Sequence, residues 1–249
     1  MNKKILSFLE QSLFLKDIKC IFCDAELDRP SLYCVCGDCL NKLPYLNGKV
    51  CKKCGEPIES LAEFCMRCKN HVDRGFDKAR AEFLYKDEIA KSVKDLKYFG
   101  KKYLAEYLSK FVYDVYVREN FSCDVVIPVP ISKKSLKSRG FNQAELLCKT
   151  FLDNGVEVNS NCVVKSRETE NQAKLNYRDR QTNIVDAFEV ADKAAVKNKN
   201  ILLVDDVLTT GATVGEISRI LKKAGAKSVN VITLCHEMPD GATNWYVIL

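Results

Sequence analysis

Ile201-Leu-Leu-Val-Asp205-Asp206-Val-Leu-Thr209-Thr210-Gly211-Ala212-Thr213 is the stretch that decides the fold. Four apolar residues in a row suit a parallel strand covered on both faces. The run meets two adjacent carboxylates, and a Thr/Gly loop then leads into a helix. A loop placed at a helix start can turn its backbone N–H groups and hydroxyls toward an anion such as phosphate. Gly211 allows the close approach or unusual dihedrals that such a loop needs. Asp205 and Asp206 stand at the carboxyl end of the strand, where open α/β sheets bind ligands. Carboxylates repel phosphate, so this pair must face vicinal hydroxyls or a metal ion. A sugar phosphate satisfies both halves of the motif.

Outward from this stretch, strands and helices alternate. Residues 213–224 carry Val214, Ile217, Ile220, Leu221 and Ala224 on one face, Lys222 and Lys223 at the negative end, and Gly225 as a stop. Val229–Leu234 reads as the next strand. Upstream, Ala79–Tyr85 reads as a strand, and Ile89, Val93 and Leu96 keep helical spacing until Gly100. Leu104, Leu108, Phe111, Val112 and Val115 continue as a longer helix. Val125–Pro130 is a short β-rich run, followed by a basic loop with Lys133, Lys134, Lys137 and Arg139. Helical spacing returns at Phe141, Ala144, Leu147 and Phe151 and stops at Gly155. This alternation predicts a mainly parallel sheet with helices on both faces.

Two further segments suit anions. Arg139-Gly-Phe-Asn-Gln143 follows the Val125 strand and enters a helix, so the basic loop can hold a second anion. Arg167, Gln172 and Arg180 belong to a stretch rich in guanidinium and amide groups, which can close over a bound phosphoester and bring cations to a leaving pyrophosphate.

At 249 residues and 47% hydrophobic content, the chain can build one ordinary domain and a small one. The net charge of +6 suits a protein that handles anions without establishing a nucleic-acid partner. No apolar stretch approaches the roughly 18 residues of a membrane span. Glu10 and Gln11 interrupt the opening apolar run, and no small-residue cleavage site follows. The opening reads as an amphipathic helix, and the expected location is the cytoplasm.

Nine of the 13 cysteines fall at or before Cys68, eight of them in four Cys-x-x-Cys knuckles: Cys20/Cys23, Cys36/Cys39, Cys51/Cys54 and Cys65/Cys68. Two thiolates spaced this way approach one metal from a tight turn, and two such turns complete a tetrahedron. Eight thiols suit two structural Zn²⁺ sites, Gly37 and Gly55 relieving crowding in two turns. Sequential and interleaved pairings are both open, as is occupancy of one site alone, and Cys34 can stand in for Cys36. Disulfides are the alternative where a chain is exported. Cys123, Cys148, Cys162 and Cys235 read as small core residues. We place the zinc-binding module with its preceding helix in residues 1–74 and the α/β domain in residues 75–249.

The Ile201–Thr213 segment resembles the binding fingerprint of phosphoribosyltransferases that use phosphoribosyl pyrophosphate. The resemblance implies that Thr209, Thr210, Gly211, Ala212 and Thr213 hold the 5-phosphate and that Asp205 and Asp206 hold the ribose 2- and 3-hydroxyls. It further implies pyrophosphate as the second anion, at the Arg139 loop, with Mg²⁺ bridging pyrophosphate and ribose oxygens. Over residues 20–236 the chain resembles the ComF family of bacterial competence-related proteins, of the ComFC type. The shared order is cysteine knuckles, Ile127-Pro-Val-Pro130, Arg-Gly-Phe-Asn-Gln, Gln-x-x-Leu with downstream Arg and Asn, and the Asp-Asp loop. That likeness implies a type I phosphoribosyltransferase-like fold behind a small four-cysteine zinc-binding module. It also implies a link to DNA uptake in natural transformation, with single-stranded DNA and the uptake machinery as partners. One position departs: hypoxanthine-type transferases carry an acid where this chain has Thr209, which cannot act as a carboxylate base. The acceptor therefore does not carry over.

Overall fold

The computed structural model describes residues 18–28, 31–58, 61–70, 73–168 and 184–238. The helix expected before Cys20, and Gln172 and Arg180, lie outside the described residues. The chain divides into two compact units, Met1–Leu43 and Pro44–Leu249. The sequence reading divides it after residue 74 instead, grouping the second pair of cysteine knuckles with the first.

In the first unit the sulfurs of Cys20, Cys23, Cys36 and Cys39 lie within 4.8 Å of one another. The Cys20 carbonyl accepts from the Asp24 N–H at 3.0 Å, which closes the first knuckle. Cys36 caps α1 (Gly37–Lys42), its sulfur accepting from the Cys39 N–H at 3.4 Å. The Cys34 thiol instead donates to the Lys19 carbonyl at 3.2 Å. Cys36, not Cys34, therefore completes the cage, and pairing is sequential. A Cβ on Gly37 would meet nothing within 4 Å, so the crowding expected there is absent.

The larger unit begins with the second cage. Cys51, Cys54, Cys65 and Cys68 bring their sulfurs within 4.8 Å, and the first three are buried. Their four-sulfur donor set fits Zn²⁺ and leaves no open position. The short helix α2 (Met66–Lys69) carries the last ligand. Four strands follow in one parallel sheet, β1 (Lys78–Leu84), β2 (Val125–Pro128), β5 (Asn200–Leu208) and β6 (Ser228–His236), in the order β1-β6-β5-β2. A separate antiparallel pair, β3 (Val163–Lys165) and β4 (Phe188–Val190), carries no alternation long enough to be read from sequence.

Helices α3 (Asp87–Tyr98) and α4 (Leu104–Glu119) join β1 to β2, and Asn120 ends α4 in the left-handed conformation. Two departures follow β2. The basic segment is a helix, α5 (Lys133–Arg139), rather than a loop. The single helix expected from Phe141 is split into α6 (Gln143–Leu146) and α7 (Lys149–Asp153) by a tightened turn at Leu147 and Cys148. Both faces of the sheet are covered. Val125, Ile127, Ile201, Leu203, Val229 and Val231 share a core with Val214, Ile217 and Leu221 of α8 (Ala212–Lys223). The alternate residues Val126, Leu202, Val204 and Ile232 are equally buried, and α4 and α6 pack against the sheet. Cys148, Cys162 and Cys235 are buried as expected, and burial pushes the Cys162 thiol up to about 11.

Both sheet edges are occupied. Ahead of β1, the Leu46 N–H donates to the Glu82 carbonyl at 2.8 Å, and the Leu84 and Ala79 N–H groups donate to Pro44 and Lys53 carbonyls, both at 2.8 Å. Gly55, at φ +73°, lies against this edge so closely that a Cβ would stand 2.8 Å from the Ala79 oxygen. Beyond β2, Val126 donates to the Glu157 carbonyl and accepts from the Asn159 N–H.

The segment before β1 crosses α8 at a pair of glycines, Gly75 and Gly215. A Cβ on Gly215 would lie 2.8 Å from the Arg74 carbonyl oxygen, a backbone atom that cannot swing aside. Helix propensity alone favours alanine over glycine by about 1 kcal/mol. We expect Gly215→Ala to reverse that sign and destabilise by about 1–3 kcal/mol through overpacking, read as a lower midpoint in thermal or urea unfolding. An unchanged or raised midpoint would contradict this close crossing.

Candidate functional site

Pro128, the last residue of β2, pairs with Val204 of β5, and β5 runs on past it to Leu208. A cleft of about 1140 Å³ opens at those carboxyl ends. On the β5 side, Asp205, Asp206, Thr209, Gly211, Ala212 and Thr213 line it; on the other side, Lys134 and Arg139 do. Local sequence explains each wall. Ser132 caps α5, its hydroxyl accepting from the Ser135 N–H at 3.1 Å, and Gly140 ends the helix at φ +77°. Those two signals flank the basic run, which is why it is helical. Asn142 then donates to the Val129 carbonyl at 3.0 Å while capping α6, and so ties the turn to the end of β2.

The opposite wall is the β5–α8 turn. Gly211 occupies the N-cap position of α8 at φ +77°, in the left-handed region that suits glycine. Thr213 lies within the first turn of the helix rather than in the loop. Thr210 faces inward: it is buried, its hydroxyl accepts from the Ala212 N–H at 3.2 Å, and its carbonyl accepts from Arg74 Nη1 at 2.5 Å. It does not line the cleft. Lys133 does not line it either, and the Arg167 guanidinium donates to the Val185 carbonyl at 2.7 Å outside the lining.

Arg139 Nη1 donates to Gln143 Oε1 at 2.9 Å, and its guanidinium stands 5.3 Å from the centre of the Tyr98 ring. Both are neutral partners, so the positive charge at the cleft is steadied without being cancelled. The other signs meet at the end of β5. Lys97 Nζ lies 2.8 Å from Asp206 Oδ1, with both side chains largely withdrawn from water. Burial works against the Lys97 charge, but attraction to Asp206, their hydrogen bond and nearby Asp205 outweigh it and raise its pKa. Asp206 Oδ2 is buried and has no hydrogen-bond partner among the described residues. Asp205 is half-buried and its Oδ1 accepts from the Asp206 N–H at 2.9 Å. Burial first, and then the neighbouring Asp206 charge, push the Asp205 carboxyl up to about 7, against the opposing pull of Lys97.

Sequence reasoning does not single out Lys97. It occupies the last turn of α3, one residue after Leu96 on an amphipathic helix, and nothing local separates it from Lys94 or Lys91. Tyr98 and Phe99, exposed at the cleft, are likewise ordinary helix-end residues until the fold brings them there. The hard oxygen donors of Asp205 and Asp206, one of them without a partner among the described residues, suit hydroxyl donors or a hard cation such as Mg²⁺.

Residues 136–247 match the family model of the phosphoribosyl transferase domain, and residues 13–69 match that of the double zinc ribbon domain. Competence protein F of Haemophilus influenzae is 28% identical over 86% of this chain and 95% of its own. Competence protein ComFC of Bacillus subtilis is 29% identical over 86% of this chain and 93% of its own. The DNA utilization protein YhgH of Salmonella typhimurium is 28% identical over 76% and 85%, respectively. Two four-cysteine cages ahead of a parallel sheet with an Asp-Asp-Val-Leu-Thr-Thr-Gly turn agree with both domain matches. The chain is similar over most of its length to competence proteins of the ComF type, and it matches a phosphoribosyl transferase domain behind a double zinc ribbon.

Proposed function

We propose that the cleft binds phosphoribosyl pyrophosphate with Mg²⁺ and that the chain transfers the phosphoribosyl group to an acceptor, in a role linked to DNA uptake. The observation that carries this reading is one cleft lined by two carboxylates, a left-handed glycine turn at a helix start, and the cations Lys134 and Arg139. The Thr209 and Thr213 hydroxyls and the backbone N–H groups at the start of α8 take the 5-phosphate. Asp205 and Asp206 accept from the ribose hydroxyls and stabilise the positive charge that grows on the sugar ring as the bond to pyrophosphate breaks. Lys134 and Arg139 receive pyrophosphate as it leaves from C1, and the acceptor joins C1 from the opposite side, with inversion. Arg180 and Gln172 complete the binding set from the 167–183 segment. Mg²⁺ would be held at the cleft with the substrate beside Asp205 and Asp206, and it would neutralise part of the charge on the departing pyrophosphate. The names of the competence and DNA-utilization relatives support the link to DNA uptake.

The aromatic and basic character of the cleft mouth favours a second reading. Tyr98 and Phe99 are 59% and 71% exposed beside Lys94, Lys134 and Arg139, a combination that suits stacked bases and phosphates of single-stranded DNA. In that reading the same fold serves as a binding factor without turnover.

Three measurements separate these possibilities. Titration of phosphoribosyl pyrophosphate and Mg²⁺ into the zinc-loaded protein by calorimetry is expected to show binding that Asp205→Asn/Asp206→Asn loses; equal affinity in the variant would remove the sugar-phosphate assignment. Because folded Asp205 keeps its proton up to about pH 7, well above the ordinary carboxylate range near about 4, rising pH between those values costs folding stability. The same deprotonation supplies the acceptor for ribose, so affinity should rise between about pH 6 and 8, and Asp205→Asn should flatten that slope. On the binding-factor reading, affinity for a single-stranded oligonucleotide should fall steeply and log-linearly with salt, whereas indifference to salt would argue against phosphate contacts.

A further inference from the structure

Lys97 reaches the carboxylate pair from another element and from a fixed base. Leu96, its neighbour in the last turn of α3, is fully buried in a cluster with Ala105 and Phe141. That packing holds the helix end in place, and the negative end of a helix favours a cation. From there Lys97 Nζ stands 2.8 Å from Asp206 Oδ1, and both residues line the cleft. The side chains are 20% and 4% exposed, respectively. An ion pair so withdrawn from water adds little net stability, because desolvation offsets most of the attraction. The lysine therefore calls for a reason other than stability.

The choice of ligand at the pair supplies one. Adjacent carboxylates at a cleft accept from hydroxyl groups and also coordinate hard cations, and the two kinds of ligand compete for the same oxygens. Asp205 engages Oδ1 with the Asp206 N–H at 2.9 Å, and Asp206 engages Oδ1 with Lys97. Asp206 Oδ2 has no partner among the described residues. A divalent cation drawn to that oxygen would lie close to an ammonium bonded to the same carboxylate. Like charges this near, shielded from bulk water, repel strongly. A hydroxyl carries no charge and meets no such repulsion.

We propose that Lys97 is a positioning residue that reserves the carboxylate pair for hydroxyl groups by excluding free divalent cations. Its ammonium balances the charge of the pair before any ligand arrives. A divalent cation then enters the cleft only with a ligand that brings anionic oxygens of its own. Without Lys97, free cation would occupy the pair first and block the hydroxyls. The identity of those hydroxyls as ribose rests on the sugar-phosphate reading of the cleft.

The test uses the full zinc-loaded chain without phosphoribosyl pyrophosphate. Mn²⁺ is the probe, and loss of its free-ion EPR signal is the readout. Binding at the pair is the component that a further Asp206→Asn substitution removes. The wild type should show no such component. Lys97→Met should gain one and bind Mn²⁺ at least about tenfold more tightly, the effect expected of removing a neighbouring charge. Lys97→Arg, which keeps the charge, should still exclude the ion, a split that a merely structural lysine would not produce. Asp206-dependent binding by the wild type as tight as that of Lys97→Met, or no gain in folded Lys97→Met, would overturn the proposal. If Lys97→Met does not fold, Lys97→Gln, whose amide can still donate to Asp206, replaces it under the same criteria. No sugar phosphate is present in these titrations, so the two readings fail separately. Absence of phosphoribosyl pyrophosphate binding in calorimetry removes ribose as the source of the hydroxyls, whereas the Mn²⁺ result alone decides the exclusion.

Discussion

Two carboxylates at the end of a buried strand are the constraint around which this molecule is arranged. Residues 201–204 of β5 are fully buried, and the chain then places Asp205 and Asp206 where the sheet meets the cleft. Two adjacent negative charges in partly dry surroundings repel each other and lack hydration. The protein meets this in two ways. Lys97 reaches across from α3 to Asp206, and Asp205 keeps its proton to higher pH and leans on the Asp206 N–H. One oxygen, Asp206 Oδ2, is left without a partner among the described residues. A polar atom so placed is expensive in a resting protein and becomes useful when a hydroxyl arrives. The stability given up there and the chemistry proposed for the cleft have one origin.

Much of this is legible in the sequence because it is local. An apolar run, an acidic pair and a Thr/Gly turn lie within thirteen consecutive positions, and each records its own physics: burial, charge, backbone freedom. The cysteine knuckles are equally local, since each pair of ligands comes from one turn. What escapes is contributed from a distance. Lys97 and Asp206 are 109 positions apart, and Arg74 and Thr210 are 136 apart. Nothing in the spacing of α3 marks one lysine among several, and Arg74 reads as part of a polar junction. The basic segment misleads for a different reason: its density of charge suggests a loop, although Ser132 and Gly140 at its flanks carry the signals of a capped helix. Thr210 shows the limit of motif reading, since its place in the fingerprint does not reveal that its side chain turns inward.

The division of the chain also differs from a reading by composition. Cysteine content groups residues up to 68 together, whereas packing divides them after Leu43. The second cage shares its core with the sheet and with the turn after β5, so its metal site and the α/β core are parts of one folded body. The close approach of Gly55 to β1 and the crossing of Gly75 over Gly215 show how little space separates the elements of that body.

The hydrogen bonds along β1 have a consequence for the fate of the molecule in a crowded solution. An open parallel sheet ends in rows of unused N–H and C=O groups, and such rows recruit strands from other chains. Here residues 44–53 bond along β1, and residues 157–159 bond along β2. The first of these guards is part of the segment that carries Cys51 and Cys54. Loss of metal would loosen the cover over β1 before the sheet itself came apart, leaving a native-like protein with an adhesive edge. The second ribbon would then act as a metal-dependent safeguard against self-association, and zinc starvation would be felt first as aggregation.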